Sequence, residues 1–169
     1  MRKIRFLMCI VPALALVSMG LLQAPFKSAT GKFSVMFPKK PAEDVQDVPT
    51  DVGNIKMYSF MAEVSETKVY MVAYSDYDEK LMEGADSYVV LRGSRDGVVT
   101  NFQAKIDTEK EGKFQNYPCI DFTASGDTYF TSYKLILAKN RLYQVGILKV
   151  GSAVSKSDQS FISSFKITK

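Results

Sequence analysis

Between Thr128 and Val150 the chain carries two long apolar runs around a short polar turn. Tyr, Ile, Leu and Val fill both runs, and Lys139-Asn140-Arg141 separates them. This pattern predicts a β-hairpin. Asn140 tolerates positive φ better than most residues, so it is the expected turn residue. Tyr133, Leu135 and Leu137 point one way, and Lys134, Ile136 and Ala138 the other. Across the turn, Tyr143, Val145 and Ile147 share a face opposite Leu142, Leu148 and Val150. Both faces are largely apolar. Such a hairpin belongs in the middle of a sheet, covered by helix on at least one side.

The rest of the chain must build that sheet. With 169 residues it is long enough for one domain. A domain of this size buries roughly 70% of its unfolded surface, enough for a core without staples. The formal net charge is +4, but Arg2, Lys3 and Arg5 lie in the first few residues. Without them the chain is nearly neutral, which argues against nucleic acid as a partner.

Those cations precede an apolar run from Phe6 to Leu22, and small residues follow at Ala24, Ser28 and Ala29. This is the layout of a secretory signal peptide. Residues 1–29 are read as signal and short linker, and residues 30–169 as a single domain. The protein is expected to be exported, periplasmic or extracellular, with cleavage between Leu21 and Gly31. The alternative is a membrane anchor formed by residues 6–22. Cys9 lies too early in the run for a lipid-anchor site and would leave with the signal. Cys119 is then alone, without an intramolecular disulfide partner. Histidine is absent, which removes the commonest general base and metal ligand.

In chain order, Phe26 to Thr30 reads as a linker. Phe33, Val35 and Phe37 alternate with polar residues up to Pro38, a first strand. Lys39 to Thr50, with Pro41, Pro49 and several acids, reads as an exposed loop. Asn54 to Val64 and Val69 to Tyr74 read as strands, the second central. From Glu79 to Phe102, Leu81, Ala85, Tyr88, Leu91, Val98 and Phe102 mark one helical face. Asp78 is the expected N-cap, and a break is expected near Gly93. Ala104 to Lys110 reads as a strand, Glu111-Gly112-Lys113 as a turn, and Cys119 to Ala124 as a strand entered through Tyr117-Pro118. Ser155 with Asp158 forms a capping-box variant before a last helix carrying Phe161, Ile162 and Phe165.

Several of these landmarks resemble the PsbP-like superfamily. They are Phe33-Ser34-Val35-Met36-Phe37-Pro38, Tyr117-Pro118, Asn140-Arg141-Leu142-Tyr143 and Ser164-Phe165. The superfamily includes the photosystem protein PsbP, DcrB-like bacterial lipoproteins and many exported bacterial proteins. The resemblance spans nearly all of residues 31–167. It implies an α+β fold, an antiparallel β-sheet flanked by helices on its two sides as an α-β-α sandwich. It also implies a binding or assembly module rather than an enzyme. Cys119 stands where relatives often have glycine, and no metal or partner site carries over.

Candidate sites are few. Asp76, Asp78, Glu79, Glu83 and Asp86 form the densest acidic patch. An EF-hand loop starting at Asp76 would place Lys80, Leu81 and Ser87 where oxygen, glycine and glutamate are required. The acids instead suit the start of a helix. Cys119 has no base to make it a nucleophile and reads as a buried strand residue. Arg92-Gly93-Ser94-Arg95-Asp96-Gly97 lacks the ending of a phosphate loop. A partner or ligand surface is placed at Tyr74, Asp76, Tyr77, Asp78 and Glu83. No cofactor is expected, and a monomer is. The leading expectation is an exported, non-enzymatic module that binds a protein or envelope component. The alternative is a carrier with an apolar pocket between sheet and helix. An enzyme would have to draw on carboxylates such as Asp121 or Asp127.

Overall fold

The computed structural model describes residues 24–50, 53–151 and 155–169. The signal segment and Cys9 lie outside the described residues. The elements run β1 (Phe26–Ser28), β2 (Phe33–Val35), β3 (Ala42–Thr50), β4 (Gly53–Ser65), β5 (Lys68–Asp76), α1 (Glu79–Met82), α2 (Ser87–Asn101), β6 (Lys105–Phe114), β7 (Tyr117–Ser125), β8 (Tyr129–Ala138), β9 (Arg141–Val150), α3 (Lys156–Ser164) and β10 (Lys166–Ile167). An antiparallel seven-stranded sheet has the order β3-β4-β5-β9-β8-β7-β6, and a three-stranded sheet has the order β1-β2-β10. Among the described residues no helix is long and apolar enough to cross a membrane.

The expected hairpin is β8 and β9, with β5 and β7 on its flanks. Its two faces feed two cores. Ile136, Tyr143, Val145 and Ile147 meet Phe33, Val35 and Phe37 of the β2 segment and Phe161 and Phe165 of the α3 segment. Tyr133, Leu135, Leu137 and Leu142 meet Leu91 and Val98 of α2. A sheet apolar on both faces needs a layer on each, and the small sheet with α3 supplies one while α2 supplies the other. Gly146 is required for this packing. The ring of Tyr133 lies across it, where any Cβ would collide.

Several expectations need correction. Residues 26–28 are not linker but strand β1, because the Phe26 ring packs on Phe33, Phe37 and Phe60. Residues 42–50 are not loop but edge strand β3, paired along its length with β4. An edge strand accepts Pro49, and its exposed side chains show no alternation. Glu111-Gly112-Lys113 is no turn. β6 continues to Phe114, and the turn falls at Gln115-Asn116, both at positive φ (47° and 71°). In the β8–β9 turn it is Lys139, not Asn140, that takes positive φ (61°). The Asn140 amide instead donates to the Tyr77 carbonyl at 2.8 Å, and the Tyr77 N–H donates to the Asn140 carbonyl at 2.8 Å.

The long helix breaks at Gly84 (φ 73°) rather than near Gly93. Asp78 caps α1 as expected, and Asp86 begins α2 afresh by accepting from the Tyr88 N–H at 2.8 Å. Leu81 and Ala85 therefore leave the buried face and are exposed. The Ser155–Asp158 capping box forms as expected.

Candidate functional site

The expected surface at the end of β5 is built around Arg141. Its guanidinium donates to both carboxylate oxygens of Asp76, at 2.6 and 2.7 Å, and to the Thr30 carbonyl at 2.9 Å. It lies 4.5 Å above the Tyr74 ring and 5.9 Å from that of Tyr143. The Asp76 hydrogen bonds push the Arg141 pKa up, so the guanidinium stays charged. Tyr74 is buried, and its ring stacks 4.8 Å from that of Tyr58. It belongs to the core and not to a surface. Tyr77 packs toward the opposite core, where burial raises its phenol pKa. Asp78 and Glu83 are the capping residues of α1 and are exposed. The five residues thus split between two sheet faces. Their chemistry is structural: Arg141 ties the β5–β9 end of the sheet to the segment before β2.

The acidic patch disperses in the same way. Asp76 is engaged by Arg141, while Asp78 and Asp86 cap separate helices. Among the described residues, no three of Cys, Asp and Glu converge as a metal site. Cys119 is buried beside the aromatic core. Burial pushes its thiol pKa up, more than Lys134 draws it down. A thiol held protonated is a poor nucleophile.

On the α3 side, the sheet beyond the small sheet forms a groove. Thr108, Asp121, Thr123, Ser132 and Lys134 floor it, and Gln159, Ile162 and Ser163 wall it, around a cavity of about 380 Å³. The Thr108 and Thr123 hydroxyls bond at 2.7 Å, and Lys134 donates to Asp121 at 2.8 Å. Asp127 lies apart, exposed in the turn after β7, so Asp121 and Asp127 do not form a catalytic pair. The groove is open to solvent, unlike the enclosed pocket that a carrier of apolar ligands needs.

The opposite face of the sheet is covered by α2 on one side. α2 lies over β7 and β8. Beside it, β4, β5 and β9 turn Ile55, Met57, Met61, Val69, Met71 and Leu148 outward, all only half buried. Met61 lies directly opposite Met71, and Val69 opposite Leu148. Between them Ser59, Ala73 and Ser75 on the same face are buried, and Met71 packs against the α2-side core. Sequence reasoning missed the patch because period-two apolar residues on both faces read as buried on both. Three methionines on one side of adjoining strands were the available signal.

No protein-family model matches the sequence, and a search of curated proteins finds no relative. Among solved structures, the chain is similar to the solution structure of cyanobacterial PsbP (CyanoP) from Synechocystis sp. PCC 6803. The TM-score is 0.59 at 12% identity, over 90% of this chain and 98% of that one. The chain has a PsbP-like fold. At that identity the likeness extends to the architecture, and the expected α+β sandwich is what it confirms.

Proposed function

We propose that this protein is an exported, non-enzymatic binding module whose partner is another protein. The apolar side chains left part-exposed on the α2 side of the sheet, Met57, Met61, Val69 and Leu148, carry this reading. A soluble protein that leaves half-buried methionines, valine, isoleucine and leucine in one strip has a use for them. The Arg-Lys-Arg leader and its apolar run support export, and removal of residues 1–23 leaves β1 intact. Kinship with the PsbP-like superfamily, DcrB-like exported proteins included, belongs to the same proposal. The side-chain constellations support binding over catalysis, since each buried ionised group already has a structural partner.

Replacing Met61 by a photocrosslinking residue in the native cell tests the reading. Adducts with a discrete protein are expected from position 61 and not from Lys110 in the open groove. Equal yields from both positions, or none from position 61, would overturn it.

A further inference from the structure

The two layers on either side of the large sheet differ in charge. On one side, residues 24–40 and 155–168 make β1, β2, α3 and β10 with their turns. They carry six lysines, Lys27, Lys32, Lys39, Lys40, Lys156 and Lys166, all exposed. The acid in those segments is Asp158, which is buried and bonded to Lys68 and Lys149. On the other side, residues 77–104 make α1 and α2 and hold five acids against three basic residues. A domain that is nearly neutral as a whole thus gathers its cations on the layer of the small sheet and α3.

Strand alternation places these lysines. Phe33 and Val35 of β2 face the core, so Ser34 between them faces out. Lys27 of β1 and Lys166 of β10 lie directly opposite Ser34 on its two sides, and so point outward with it. Lys32 precedes β2, and its carbonyl accepts from the Thr168 N–H at 2.8 Å. Lys39 and Lys40 follow β2, with exposed Met36 just before them. Among the described residues none of the six lysines bonds a carboxylate. The aspartates of the large sheet that border this layer are already engaged, Asp47 by Lys56, Asp76 by Arg141 and Asp121 by Lys134. Glu43, exposed near Lys39 and Lys40, is the exception.

The chain enters the domain through this same layer. The apolar run of the leader ends at Leu22, and β1 starts at Phe26. Residues 23–25, fully extended, span about 10 Å. A leader held in a bilayer therefore leaves the lysine layer next to the headgroups. We infer that the outer face of β1, β2, β10 and α3 rests on an anionic membrane surface, its lysines among lipid phosphates and Met36 at the headgroup boundary. Lysine is a compact charge on a flexible stem, which suits a fluid array of phosphates. Clustered lysines beside an apolar segment are drawn to anionic lipid. This face lies across the sheet from Met57 and Met61, so the inference stands apart from the protein-partner reading.

The exported, processed protein should be centrifuged with vesicles of pure phosphatidylcholine and with vesicles that contain about 30% phosphatidylglycerol. Binding to the anionic vesicles alone is expected. It should be lost when salt rises from about 0.1 M to about 1 M, where screening shortens to about 3 Å. The pair Lys27→Glu, Lys166→Glu should weaken it at least tenfold. Lys80→Glu, an exposed reversal on α1, should leave it unchanged. Matching thermal midpoints establish that the variants fold, and the pair Lys39→Glu, Lys40→Glu serves if the first pair does not. Equal binding to both kinds of vesicle, or binding to neither, would overturn the inference. So would a loss that follows Lys80 rather than Lys27 and Lys166. Equal capture by oligothymidylate with the same dependence on the variants would also overturn it, because the face would then select charge and not a lipid surface. Crosslinking from Met61 decides the protein-partner reading separately, whichever way the vesicles behave.

Discussion

Asp158 shows how one buried charge is made tolerable. Lys68 and Lys149 lie directly opposite each other on β5 and β9, an arrangement that repels. Asp158, from the first turn of α3, is 1% exposed and reaches both. It also accepts from the Tyr70 hydroxyl at 3.0 Å and from the Ser155 N–H at 2.8 Å. Burial alone would raise its pKa. The bonds from Lys68, Ser155 and Tyr70 outweigh that and hold the carboxyl well below its ordinary value of 3.8. A folded pKa below the unfolded one stabilises fully above about pH 4, and the contribution fades as pH falls through the folded value. Asp158→Asn should therefore cost about 2 kcal/mol at pH 7 and much less at pH 2. Urea denaturation at both pH values checks this, and an equal loss at both would refute it. The capping role was legible in the sequence from the Ser155–Asp158 spacing. The ion pairs were not, because β5 and β9 are far apart along the chain.

At the scale of elements, the β8–β9 hairpin holds both cores together. Leu135 serves the α2 side, while Tyr143 and Ile147 serve the side of β2 and α3. The Tyr143 hydroxyl also donates to the Gly31 carbonyl at 2.8 Å, fastening the small sheet to the large one. Tyr143→Ala, Ile147→Ala and Leu135→Ala should each cost on the order of 2–5 kcal/mol. Lys39→Ala, exposed before β3, should change little. Chemical denaturation of the four variants tests the assignment, and uniform small effects would place the core elsewhere. Two-sided apolar runs and the capped final helix were legible locally. β3 was not, since an edge strand with both faces wet shows no period, and only its pairing with β4 defines it.

For the whole molecule, strand β1 limits where processing can occur. Phe26 contacts Phe33, Phe37 and Phe60, and its strand pairs with β2. A cut after Ala29 would remove that strand and leave those rings without their neighbour. Processing before Phe26 keeps the fold whole. Intact-mass measurement of the exported protein should place the N-terminus upstream of Phe26. A mature chain starting at Thr30 would contradict the prediction.

Local pattern in the chain was sufficient for the hairpin, the first apolar strand and the α3 cap, because each depends on side-chain period or on contacts within a few residues. The sandwich class came from the resemblance to the PsbP-like superfamily, while the residue pattern by itself implied only a central hairpin with helix on at least one side. Tertiary structure decided what distance along the chain conceals. It paired β9 with β5, set β10 against β2, and brought Arg141 to Asp76 and Asp158 to two lysines. It also separated the faces of the sheet. Whether an apolar strand residue is covered depends on where the helices run, and α2 packs chiefly on β7 and β8. The partial exposure of Met57 and Met61 on that side follows from three-dimensional placement and not from composition.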